Sequence, residues 1–212
     1  MKPSPQFANK NKGFTLIELM IVVAIVGILA VLAIVGILAV LAVVGVRRYL
    51  SNAKSAEARN ALGAIGKAAA RVWNTSSGSN VPLTAGTADE VGNHFLCFSA
   101  SEPVPANVAN IVGKKYQSNN TNGQDFHKDD GTSTPPLGFA CLRFEMLNPQ
   151  SYQYNYVSNA SYPPFFGGSS MTATAIGNLN GDAVYSTFRL AGAVQSTAFT
   201  LAPSIEETNP DE

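Results

Sequence analysis

Charge is what this sequence has least of, and its scarcity is local. Charged residues make up 13% of the 212, and between Phe14 and Val46 only Glu18 is ionisable and only Thr15 is otherwise polar. A helix of that composition has no face for water, which excludes a surface helix of a soluble domain. Proline is missing between Pro5 and Pro82, so nothing over that stretch demands a kink. Phosphate loops, paired catalytic carboxylates and nucleotide fingerprints are missing too, which leaves enzymatic chemistry without a carrier. With two cysteines and two histidines, a Cys/His metal site could draw on four ligands at most.

What is there begins with the apolar run itself. Its 33 residues, Phe14 to Val46, extend roughly 50 Å as a helix, against about 30 Å of bilayer hydrocarbon. The run predicts a membrane span with length to spare. A secretory signal is excluded, because its apolar region is shorter and is removed. Glu18, four residues into the run, costs several kcal/mol in hydrocarbon unless it is paired, so it is expected to have a partner. The plain alternative is a carboxylate favoured by the helix N-terminus and reaching back to the interface.

The run also repeats itself. Ala24–Leu32 reads AIVGILAVL, Ala33–Leu41 is identical, and Ala42–Val46 starts a third copy as AVVGV. Removing one nine-residue copy leaves 24 apolar residues, close to what a bilayer needs. A tandem duplication accounts for the excess. It advances everything downstream by roughly 13 Å and turns it by about half a revolution.

Net charge is zero overall but divided. Residues 1–74 hold nine Lys/Arg against Glu18 and Glu57, and residues 75–212 hold five against twelve Asp/Glu. The acidic second part argues against binding a phosphate backbone. From Arg47 to about Trp73, Ala58, Leu62, Ile65, Ala69 and Val72-Trp73 recur at spacings of three and four, which predicts a continuing amphipathic helix packed on a sheet with Trp73 as its anchor. Beyond it, His94–Phe98, Phe139–Met146, Tyr152–Val157, Met171–Ile176, Ala183–Leu190 and Val194–Leu201 read as strands, and Asn180-Gly181 as a tight hairpin turn. Residues 75–93, 99–138 and 158–170 read as loops.

Lys12-Gly13-Phe14-Thr15-Leu16-Ile17-Glu18, followed by Leu-Met-Ile-Val-Val-Ala-Ile-Val-Gly-Ile-Leu-Ala, resembles the class III signal of type IV pilins and their pseudopilin relatives. The resemblance covers the first third of the chain. It implies cleavage by a prepilin peptidase between Gly13 and Phe14, N-methylation of Phe14, and subunit assembly through the Phe14 amine and Glu18. It further implies the pilin fold, an α+β architecture of one long N-terminal helix packed on a small antiparallel sheet. The organisation is then a leader 1–13, a transmembrane and filament-core helix 14–46, an amphipathic half 47–74, and a β-rich head 75–212 outside the cytoplasm. Basic residues flank the span on both sides, so orientation comes from the resemblance. Many members carry a proline partway along this helix; its absence here predicts a straight one. Residues Ala175–Phe188 resemble the closing hairpin of several such heads.

Implied partners are further copies of the chain in a helical filament, the prepilin peptidase, an inner-membrane platform protein with its assembly ATPase, and an outer-membrane secretin. The precursor is expected in the inner membrane and the product as a surface filament; nucleic acid and cofactors are not expected. The alternatives are a pseudopilin of a type II secretion system and a membrane-anchored adhesive domain that never polymerises. Cys97 and Cys141 fit a structural disulfide in an oxidising compartment, or a metal site with His94 and His127 whose spacing matches no compact zinc motif. Asn180-Gly-Asp182 is a hairpin or a fragment of a calcium loop, and His127 with Asp129-Asp130 a solvated loop or a dyad without a nucleophile. Asn74, Asn119 and Asn159 open N-x-Ser/Thr patterns.

Overall fold

The computed structural model describes residues 13–75, 94–129, 137–160, 169–196 and 198–210. Residues 1–12 of the expected leader, residues 76–93 of the expected 75–93 loop, and Asp130 lie outside these residues. The chain divides into two units, Met1–Arg47 and Arg48–Glu212. One helix, α1 (Leu16–Thr75), contributes to both; the rest of the secondary structure belongs to the second.

In the first unit α1 is apolar on every side, and each large side chain from Leu16 to Val46 is exposed. In the second unit the same helix changes its surface. Ser55, Ala58, Ala61, Leu62, Ile65, Gly66, Ala69 and Trp73 are buried at spacings of three and four, a stripe built mostly of small residues. It packs on an antiparallel sheet of β1 (Gln153–Ser158), β2 (Ser170–Gly177), β3 (Ser186–Gln195) and β4 (Ala198–Leu201) in that order. A last strand, β5 (Glu206–Thr208), pairs with the other end of β3.

Register makes the sheet fit the helix. Tyr154 lies beside Ala175 and then Phe188, and Tyr156 beside Ala173 and then Leu190, so large and small side chains alternate across the buried face. At Gly66 the approach is close: a Cβ added there would stand 2.8 Å from Leu190 Cδ2 and 3.2 Å from Leu201. The C-terminal segment straps the helix. Arg59 makes a bidentate pair with Glu207 at 2.6 and 2.9 Å, and Ser55 Oγ donates to the Pro210 carbonyl at 2.6 Å. Arg59 holds the Glu207 carboxyl below its ordinary range, so this contribution is present above that range and fades as pH falls. Exposure keeps it near the surface-pair scale of about 0–1 kcal/mol.

Several strand expectations require correction. Phe139–Met146 is not a strand: a short helix α2 (Gly138–Leu142) replaces it, entered by Gly138 at φ +48° and left by Arg143 in the left-handed region. Gly138 lies so close to Ala100 that a Cβ would overlap its Cα. Residues 94–98 form no strand, Phe98 O accepting from Gly138 N at 3.0 Å, and the β1 edge is met a little later, where Val104 and Tyr154 exchange two backbone hydrogen bonds at 2.8 Å. The two-residue turn at Asn180-Gly181 is a loop of residues 178–185, because Asn178 accepts from Gly181 N and donates to the Asp182 carbonyl. β5 was not anticipated.

Two predictions follow from this packing. Gly63 has open space at its Cβ whereas Gly66 does not. Gly63→Ala should therefore stabilise the head by up to about 1 kcal/mol, and Gly66→Val should destabilise it by about 1–3 kcal/mol in denaturant titrations. Burial also raises the phenols of Tyr152, Tyr154 and Tyr156, and that of Tyr116 to about 12. A phenol whose folded pKa is raised contributes stability that is complete below about pH 10 and is lost as pH rises. Phenolate absorbance of Tyr152, Tyr154 and Tyr156 should then appear together with unfolding on the alkaline side.

Candidate functional site

The site begins where water-loving chemistry meets the apolar run. An α-helix leaves its first backbone N–H groups unpaired, and a Thr-x-x-Glu sequence can satisfy two of them reciprocally. Thr15-Leu16-Ile17-Glu18 is such a sequence, and α1 starts at Leu16. Glu18 Oε2 accepts from Thr15 N at 2.9 Å and from Thr15 Oγ1 at 2.8 Å, while Glu18 N lies 3.4 Å from Thr15 Oγ1. The expected partner of Glu18 within the chain is therefore Thr15, a residue not singled out in the sequence. Its signal was the capping-box spacing itself.

The box uses one carboxylate oxygen. Among the described residues Glu18 Oε1 has no hydrogen bond, so it remains able to accept a cation from outside the chain. Gly13 and Phe14 precede the helix in non-helical conformation, with Phe14 80% exposed, and a Cβ at Gly13 would meet nothing. The peptide bond joining them is thus unobstructed by the rest of the described chain.

The head candidates separate. Cys97 and Cys141 are joined in a disulfide with Cα atoms 5.8 Å apart, so neither thiolate is available to a metal. His94 Nδ1 lies 2.6 Å from the Trp73 carbonyl and its ring stacks on Trp73 at 5.3 Å, closing the end of α1. His127 Nε2 contacts Glu145 at 2.9 Å, while Asp129 accepts from Ser101 N at 3.2 Å. In the Asn180-Gly-Asp182 loop the carboxylate accepts from Val184 N at 2.6 Å and from Asn180 Nδ2 at 2.9 Å, which commits it to shaping the turn. Among the described residues no three His, Cys, Asp or Glu side chains gather where they could hold a metal. Asn74, Asn119 and Asn159 are exposed, and Asn119 Oδ1 and Asn159 Oδ1 cap neighbouring backbone N–H groups.

Residues 8–34 match the family model described as the prokaryotic N-terminal methylation motif. No curated protein and no solved structure matches the chain. The motif spans the Gly13–Phe14 bond, the capping box and the first nonapeptide copy; it is a class III signal of the type IV pilin kind.

Loss of the Thr15 hydroxyl removes the side-chain half of the box. Thr15→Val should weaken the first turn by about 1 kcal/mol, which accelerates amide exchange there about fivefold, and Thr15→Ser should restore it.

Proposed function

We propose that this chain is a structural subunit that polymerises through its apolar helix into a type IV pilus-like filament. The observation that carries the reading is the class III signal standing directly in front of a helix that is apolar on all sides and covered by none of the described chain. The same signal makes the protein pilin-like or pseudopilin-like and, before processing, a membrane-anchored precursor.

The mechanism is assembly rather than catalysis. Cleavage between Gly13 and Phe14 removes the leader 1–13 and frees an amine, which is then methylated. Residues 14–46 serve first as membrane anchor and then as filament core, 47–74 as the support of the head, and 75–212 as the outer surface. In an apolar core an unpaired carboxylate and an unpaired ammonium each cost several kcal/mol, and pairing them offsets much of that. Thr15 leaves Glu18 Oε1 open, and the Phe14 amine of a neighbouring copy is the cation that fits. That pair also sets the axial offset between copies. The prepilin peptidase, the platform protein with its ATPase, and a secretin are the partners this route requires.

A pseudopilin of a type II secretion system would carry the same class III signal and apolar helix. The carboxylate of Asp182 is committed to its own turn, which favours the pilus over a calcium-holding pseudopilin head.

Mass spectrometry of the N-terminus in material sheared from cells should find a chain beginning at methylated Phe14. An intact Met1, found only in membranes, would overturn the proposal. Glu18→Ala should abolish filaments while leaving the precursor inserted; unchanged filaments would exclude the Phe14–Glu18 pairing. An abundance in sheared material far below that of a major subunit would favour the secretion reading.

A further inference from the structure

The proposed function makes no use of the duplication, and the duplication has a physical consequence. From Leu19 to Val46 there are 28 residues without an ionisable group, in one unbroken helix without proline. They extend about 42 Å, some 12 Å more than the roughly 30 Å of bilayer hydrocarbon. The excess equals about eight residues, close to one nonapeptide copy. Without Ala33–Leu41 the run would hold 19 residues and extend about 29 Å, a match to the bilayer. Tilt alone would need about 44° to hide the longer run, outside the observed range of about 0–40°.

The surplus cannot be covered from one side either. Nine residues turn a helix by about half a revolution, so the two copies present the same surface in opposite directions. The large side chains from Leu19 to Val46 are all 47–65% exposed, with no shielded face among them. Gly27, Gly36 and Gly45 repeat at the same interval, and a Cβ at each would meet nothing. Lipid tails cover such a helix only within the hydrocarbon. Parallel helices of equal length and equal apolarity cover it along its whole length and from several sides.

We propose that the second nonapeptide, Ala33–Leu41, is a self-association surface: it holds the membrane-inserted chain in positive mismatch, and other copies of this chain cover the apolar helix that lipid leaves exposed. This rests on the filament reading for the parallel arrangement of copies and adds a driving force that acts while they are still in the membrane. Leaving lipid for a bundle of like helices removes the mismatch, so the repeat favours assembly over storage in the bilayer.

The test uses the full chain, labelled on its head with donor or acceptor fluorophores, in phosphatidylcholine bilayers of short, medium and long acyl chains. Energy transfer should report self-association that weakens at least about tenfold from the thinnest to the thickest bilayer. Deletion of Ala33–Leu41 should remove that dependence between the medium and long chains. Association of the unmodified chain that ignores thickness would overturn the proposal. So would a helix tilt, measured by polarised infrared absorption, that rises in thin bilayers with no gain in association. The unmodified chain tests the mismatch whether or not the deletion variant folds, and a folded deletion variant that keeps the full thickness dependence would overturn the assignment to the repeat. Glu18→Ala separates the two readings: filaments unaffected by it overturn the Phe14–Glu18 assembly mechanism alone, while thickness-dependent association retained in that variant supports the mismatch.

Discussion

An apolar helix surface that none of the described residues covers sets the terms for this protein. Burying a methylene is worth about 0.8 kcal/mol, so more than two dozen exposed aliphatic side chains represent a demand that water cannot meet. Only an apolar environment can supply the cover. The class III signal belongs to this demand, since it sits where the run begins. A carboxylate inside such a run needs satisfied oxygens, and the capping box provides this locally without consuming both of them.

From Ser55 onward the same helix meets the opposite condition. Its residues become small on one face, and a sheet with alternating large and small side chains closes on it. The polar residues of this half are used as ties. Glu57 accepts from Ser151 N at 2.9 Å, Arg59 holds Glu207 and lies 5.4 Å over the Phe188 ring, and Arg71 donates to the Leu142 carbonyl at 2.9 Å. Tyr152 and Tyr154 bury their hydroxyls without well-formed hydrogen bonds, which costs free energy and marks this boundary as tightly packed rather than polar. The disulfide and the trio Phe126, Phe139 and Phe144, with centroids 5.1–5.9 Å apart, tie the long excursion before β1 into the same core.

Legibility in the sequence followed the range of the forces involved. α1 was readable because hydrophobic length and three-four periodicity are local properties, and β1, β2 and β3 as far as Leu190 because β-branched and aromatic residues recur along them; the Val194–Leu201 run is divided between the end of β3 and β4. The Phe139–Met146 run has strand composition, but a short apolar run is ambiguous between helix and strand; the positive φ of Gly138 and its contact with Ala100 decide for a helical turn. Asn180-Gly181 has turn chemistry, and Gly181 does adopt φ +81°, yet the side chain of Asn178 recruits the turn into a longer loop. β5 has acidic residues of low strand propensity, and only its pairing with β3 and the Arg59 contact make it a strand. Thr15 was legible in principle, as the first residue of Thr-x-x-Glu.

By itself the sequence determined the long apolar run, its duplication, the signal in front of it and the α+β division, because each depends on composition and spacing along one stretch of chain. With two cysteines it also left only one intrachain disulfide to form. Tertiary structure decided which apolar run became a helical turn, where the tight turn opened into a loop, how the C-terminal segment reached Ser55 and Arg59, and how His94 came to close α1. Those outcomes depend on contacts between residues far apart in the chain, where weak local preferences are outweighed by what each segment packs against.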